Sequence, residues 1–154
     1  MLRMSKLTDY GTMVLAQLAA NSPHLCTAGQ VAGATHIGRA TVRKLLKSLN
    51  KSGLVISERG PLGGYALARP AGLITAAEII DALEGPVAIT ECSASHGACG
   101  LEPFCRVGNA WQRINTGIRS ALEKVTLADL RAGSAFSEPP DLISPLRETV
   151  GSAH

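Results

Sequence analysis

Residues 27–67, TAGQVAGATHIGRATVRKLLKSLNKSGLVISERGPLGGYAL, contain the pattern that decides the fold. Thr27 stands three residues before Gln30, a capping-box spacing that satisfies the first free amides of a helix, here running through Ala34. His36-Ile37-Gly38 reads as a turn, and Arg39 to Ser52 as a second helix with Val42, Leu45, Leu46 and Leu49 on one stripe. Arg43, Lys44, Lys47 and Lys51 fall on its other faces, and Gly53 is placed to stop it in a left-handed conformation. Leu54–Arg59 and Tyr65–Ala68 are strand-like runs on either side of Gly60-Pro61-Leu62-Gly63-Gly64, which describes a β-hairpin. Two short helices, the second basic, followed directly by a hairpin make a winged helix-turn-helix.

The flanks are helical. Leu7 to Ala20 carries Leu7, Val14, Leu15, Leu18 and Ala19 at helical spacing, and Asn21-Ser22-Pro23 ends it. Thr75 and Glu78 form a second capping box, opening a helix that reaches Leu83 or Glu84 and closes at Gly85-Pro86. A loop from about Glu91 to Cys105 follows, then Trp111, Ile114, Ile118, Leu122 and Val125 mark a long amphipathic helix over Asn109–Val125. Thr126–Leu130 adds a short turn of helix, and the Gly, Ser and Pro after Arg131 read as a flexible tail. The expected class is mainly α with a small β-hairpin.

Composition fits a folded chain whose core is aliphatic: 45% hydrophobic and 18% charged, with only 3% aromatic. The start runs straight into an amphipathic pattern, and no apolar run approaches the roughly 20 residues of a bilayer span, so a cytoplasmic protein without membrane contact is expected. Residues 1–69 hold nine Lys or Arg against two acids, whereas the remainder holds six against ten. A basic half joined to an acidic half suggests a polyanion-binding module beside something else.

In a helix-turn-helix the second helix presents its N-terminal residues to base edges in the major groove. Here Arg39, Thr41, Arg43 and Lys44 hold those positions. Arg43 can donate two hydrogen bonds to guanine, while Lys44, Lys47 and Lys51 suit phosphates. Arg59, at the wing base, suits a minor groove or a phosphate, and Gly63 and Gly64 let the wing backbone approach the duplex. Double-stranded DNA is the expected partner. A winged helix that binds only protein is the blander alternative.

Cys92, Cys99 and Cys105 lie within fourteen residues at C-x6-C-x5-C spacing, with Cys26 apart as a packed or idle thiol. In a reducing compartment such a cluster favours metal or redox chemistry over disulfides, and thiolates suit iron–sulfur clusters or zinc. His96 would complete a structural Cys3His zinc site, and Asp9 would instead supply a carboxylate. Metal-free thiols forming a disulfide on oxidation are a third possibility. An enzyme is not expected: the sequence has no phosphate-binding glycine loop, nucleophile elbow or paired carboxylates around a plausible pocket.

Leu7-Thr8-Asp9-Tyr10-Gly11, Ser52-Gly53-Leu54-Val55, Arg59-Gly60-Pro61-Leu62-Gly63-Gly64-Tyr65, Ile74–Ile80, the triple-cysteine loop and Val125–Leu130 together resemble the IscR/NsrR-type regulators over about residues 1–131. Among these the chain looks most like the regulators of the SUF iron–sulfur assembly system. The resemblance implies a homodimer paired through the long helix and reading a palindromic operator. It also implies a 2Fe–2S or 4Fe–4S cluster on Cys92, Cys99 and Cys105, whose state couples transcription to iron–sulfur supply, redox stress or nitric oxide. IscR-like members take a fourth ligand from a histidine three residues after the last cysteine, where this chain has Gly108. NsrR-like members use an aspartate of the first helix, which Asp9 matches, so Asp9 is favoured over His96. Arg43 replaces the acidic residue that some members use to discriminate sites, so their site preference does not carry over. The implied organisation is a DNA-binding domain over 1–85, a cluster-binding loop over 86–107, a dimerisation helix over 108–130 and a tail over 131–154.

Overall fold

The computed structural model describes residues 4–90, 93, 100, 104 and 106–133. Helix α1 (Lys6–Asn21) starts at Ser5, whose side-chain oxygen accepts from the Leu7 amide, and it buries Val14, Leu15 and Leu18. Helix α2 (Ala28–Thr35) opens on the expected Thr27–Gln30 capping box with both reciprocal bonds formed. His36, at φ 58°, turns the chain towards α3 (Arg39–Lys51). The α3 stripe Val42, Leu45, Leu46 and Leu49 is buried, and Gly53 follows at φ 79° as the left-handed stop.

Strands β1 (Val55–Glu58) and β2 (Gly64–Leu67) pair antiparallel, with Val55 opposite Leu67 and Glu58 opposite Gly64. Cys26 adds a rung the sequence reading did not foresee. Its amide donates to the Tyr65 carbonyl at 2.9 Å, and the Tyr65 amide donates back at 2.8 Å, which fastens the wing to the chain ahead of α2. A 3-10 turn (Ala71–Leu73) leads into α4 (Ala76–Leu83), capped by Thr75 and Glu78 as expected. The chain continues into α5 (Gly108–Lys124) and α6 (Leu127–Ala132). Helices α1–α3 meet around Leu15, Leu18, Leu45 and Leu46, with Ile74 and Ile79 closing the core from the α4 side.

The last helix is more than a turn after α5. Thr126 and Asp129 cap it, and Thr75 and Thr126 form a bridge with Ala76 N–H to Val125 carbonyl and Leu127 N–H to Ile74 carbonyl, each at 2.8 Å. Leu127 is fully buried in the same core as α1 and α3. Burial of one leucine is worth about 1.5–3 kcal/mol, enough to hold a six-residue helix that would not form alone. It runs through Ala132, slightly past the expected start of the tail, and residues from 134 on lie outside the described residues.

Helix α5 turns its small residues inward. Gly117 and Ala121 are buried, α5 packs on α4, and Arg119 makes a two-pronged bond to Asp81 at 2.8 and 3.1 Å. Trp111 and Ile114 of the expected apolar stripe remain exposed. Among the described residues no helix is long and apolar enough to cross a membrane.

Candidate DNA interface and metal-ligand site

Helix α3 and the wing enclose an open cleft of about 710 Å³, lined by Arg39, Arg43, Lys47, Lys51, Asn50, Ser57, Tyr65 and Ala28. The four cations recur every fourth residue, which puts them along one side of the helix. None of them forms an ion pair among the described residues, so their charge faces the cleft uncompensated. Arg39 reaches back over α2: its guanidinium lies 3.6 Å from where a side chain on Gly29 would begin.

The expected DNA residues divide accordingly. Arg39, Arg43 and Lys47 share the cleft, whereas Thr41 is half-buried and Lys44 exposed, neither of them lining it. Arg59 is not at the wing base as expected. Strand β1 ends at Glu58, so Arg59 opens the distal turn that carries Gly60 (φ 113°) and the almost fully exposed Leu62. Gly63 and Gly64 face protein backbone. A side chain on Gly63 would collide with the Glu58 carbonyl, and one on Gly64 would begin 2.7 Å from the Cys26 carbonyl oxygen.

Sequence reasoning missed Asn50, Ser57 and Tyr65. Asn50 donates to the Ser57 hydroxyl at 2.8 Å, tying the end of α3 to the wing. Its position three residues after Lys47 was a usable signal. Ser57 and Tyr65 join it only through their strand pairing.

A second feature lies where α1, α4, α5 and α6 meet: a mostly apolar groove of about 440 Å³ lined by Met4, Met13, Ile79, Ile80, Leu122 and Leu130, with Thr8, Asp9, Thr12 and Ala76. Cys92, Cys99, Cys105 and His96 lie outside the described residues, so Asp9 is the expected ligand whose setting is defined. It is exposed on the first turn of α1 and forms no bond to another side chain or amide among the described residues. Most other described carboxylates are engaged. Asp81 and Glu123 hold Arg119, Glu78 holds Arg69 and the Thr75 cap, and Asp129 caps α6. Among the described carboxylates only Glu58, on the wing, shares the freedom of Asp9.

Glu84, the remaining described carboxylate, caps the end of α4 where Gly85 (φ 89°) leads the chain away. Its Oε1 accepts from the Ser5 hydroxyl at 2.6 Å, the Thr8 hydroxyl at 2.6 Å and the Ser5 amide at 2.8 Å. These donors, the Ser5 hydroxyl foremost, hold the Glu84 carboxyl below the usual carboxylate range. Cys26 is a core residue as expected: it is 6% exposed, and burial pushes its thiol up from the ordinary range, which suppresses the reactive thiolate.

A basic cleft between a recognition helix and a wing defines a DNA-binding transcriptional regulator of the winged helix-turn-helix class. The chain belongs to the Rrf2 family, described as an iron-dependent transcriptional regulator, whose model matches residues 4–133. It is 29% identical over 154 residues to an HTH-type transcriptional regulator of Mycobacterium tuberculosis, Rv1287, with 99% of this chain and 96% of the relative covered. It is 31% identical over 130 residues to protein aau3 of Rhizobium meliloti, 84% of each chain. Among solved structures it is similar to CymR, the global cysteine regulator of B. subtilis, at TM-score 0.66 and 28% identity over 88% of this chain and 100% of that one. It is also similar to T. potens IscR, at TM-score 0.64 and 26% identity over 89% and 91%. The chain is therefore a regulator and not an enzyme.

Proposed function

We propose that the protein is an iron–sulfur cluster-dependent member of its family, a homodimer that reads a palindromic operator and controls iron–sulfur assembly genes of the SUF type, or redox and nitric-oxide stress genes. The observation that carries this is the donor set. Three cysteines at C-x6-C-x5-C spacing supply soft thiolates, and α1 presents one unengaged carboxylate, Asp9, beside an apolar groove. Cys92, Cys99, Cys105 and Asp9 would hold the cluster, which supplies sensitivity to oxidant, nitric oxide and iron supply when bound. The family description as iron-dependent and the likeness to IscR support the same reading.

DNA recognition falls to Arg39, Thr41 and Arg43 at base edges, to Lys44, Lys47 and Lys51 at phosphates, and to the wing turn with Arg59, supported on Gly63 and Gly64. Dimerisation falls to α5, where Val107 at its N-cap and then Trp111, Ile114 and Ile118 recur at the alternating three- and four-residue spacing of a helix-pairing seam. The exposure of Val107, Trp111 and Ile114 in the single chain is what a partner helix would remove. As a ligand Asp9 would tie α1 to the cysteine loop, and its release would remove that tie. Coupling of about 1–3 kcal/mol between the two arrangements would change DNA affinity about 5- to 150-fold.

The test is anaerobic purification followed by a visible spectrum with iron and sulfide assays. Brown protein with matching iron and sulfide, and loss of colour in Cys92→Ala, Cys99→Ala and Cys105→Ala, is expected. Colourless protein carrying one zinc per chain would replace this reading with the structural-zinc one. Protein that stays metal-free after reconstitution, but loses thiols reversibly to oxidant, would favour a bare thiol switch.

A further inference from the structure

We infer that Glu84 is the positioning residue for Asp9, a latch that fastens the first turn of α1 to the end of α4. This rests on the reading of Asp9 as a cluster ligand. Three donors converge on one oxygen of Glu84, all from residues flanking Asp9: the Ser5 amide and hydroxyl and the Thr8 hydroxyl, at 2.6–2.8 Å. They come from 79 and 76 residues away in sequence, so no local requirement of either helix explains them. Bonds from neutral donors to a charged acceptor are stronger than neutral pairs, and three on one atom fix its direction.

A second contact makes the same junction. Leu83, the residue before Glu84, rests its side chain on Gly11 so closely that a side chain at Gly11 would collide with it. Leu83, the last residue of α4, and Glu84, its cap, thus grip α1 on either side of Asp9, one by packing and one by hydrogen bonds. Asp9 itself has no such restraint, so its position is set by the turn it rides on.

The same end of α4 touches the recognition helix and α5. Ser48 of the recognition helix donates to the Ala82 carbonyl at 3.1 Å, and Asp81 holds Arg119 of α5. A displacement of the α1 turn is therefore passed through residues 81–84 to the helix that meets DNA and to the helix proposed to pair. Glu84 touches neither DNA nor the cysteines in this assignment; it acts through Asp9.

The experiment is a chelator challenge of the cluster-loaded full-length protein, following the decay of visible absorbance. It compares Glu84→Ala, Glu84→Gln, Thr8→Val and Asp9→Ala, with Glu84→Ala also made on the Asp9→Ala background. Glu84→Ala is expected to speed decay about fivefold or more, with Thr8→Val, of nearly the same shape, moving the same way. Glu84→Gln keeps an acceptor at the same reach and should restore most of the lifetime. On the Asp9→Ala background, Glu84→Ala should add nothing, because what it positions is gone. Equal acceleration with and without Asp9 would reduce Glu84 to general stabilisation and overturn the proposal. So would a silent Glu84→Ala alongside an Asp9→Ala that does accelerate decay, and that result leaves Asp9 as a ligand. An Asp9→Ala protein with unchanged decay would instead remove the ligand reading itself, and the latch with it.

Discussion

Gly64 has no room for a β-carbon, because Cys26 crosses it and exchanges two backbone bonds with the neighbouring Tyr65. The obstructing atoms at 2.7 and 2.9 Å are both backbone, which moves only if the bridge breaks. Gly33, in α2, is the contrast, with nothing within 4 Å of the same position. Gly64→Ala is therefore expected to lower unfolding free energy by about 1–3 kcal/mol, as overpacking does. Gly33→Ala should raise it by about 0.5–1 kcal/mol through helix propensity alone. Urea denaturation of the two variants checks both signs. The sequence marked Gly63 and Gly64 as places where backbone must come close. It assigned that closeness to DNA, because a partner 38 residues earlier leaves no local pattern to read.

Helix α3 shows how an element divides its duties by face. Its apolar stripe was legible because a 3.6-residue period is written directly into the order Val42, Leu45, Leu46, Leu49. The opposite side carries Arg39, Arg43, Lys47 and Lys51 into the cleft. On the proposed assignment, position along the helix separates base reading from phosphate binding. Arg43→Ala should weaken operator binding by about 1–3 kcal/mol and relax preference at one base pair. Lys51→Ala, at the far end, should weaken specific and non-specific duplexes alike and reduce the log–log salt slope by about one. Fluorescence anisotropy across a salt series distinguishes these outcomes, and identical behaviour of both variants would contradict the division. Asn50 shares the face of Lys47 three residues earlier, but its bond to Ser57 on the wing is not written in the helix's own period.

At the scale of the molecule, Trp111 and Ile114 of α5 stay exposed while its small Gly117 and Ala121 pack inward. A single chain leaves Trp111 and Ile114 at 41% and 36% exposure, which a paired helix would cover. The expected oligomer is a dimer, and the double substitution Trp111→Glu with Ile114→Glu should yield a folded monomer by sedimentation equilibrium. That monomer should lose most affinity for a full palindrome while retaining weak binding to a half-site, since joining two half-site contacts raises apparent affinity without any new one. A variant that stays dimeric would move the interface elsewhere. Thermal unfolding of the variant, unchanged in cooperativity, would verify that the exposed stripe is not part of the chain's own core.

The winged helix-turn-helix was determined by the sequence alone, because its signals are local. Capping boxes at Thr27 and Thr75, the stop at Gly53, the α3 stripe and the glycine-rich wing each act within a few residues. The cysteine spacing and the basic half likewise pointed to chemistry before any geometry. Tertiary structure decided what depends on distant pairs: α6 returning to bury Leu127, Cys26 joining the wing, α5 turning its small face inward, and Glu84 gripping the turn that bears Asp9. These contacts join residues up to 79 positions apart. Periodicity and capping report only what a helix or hairpin does with its own neighbours, so which distant donor meets which acceptor emerges only once the core has closed.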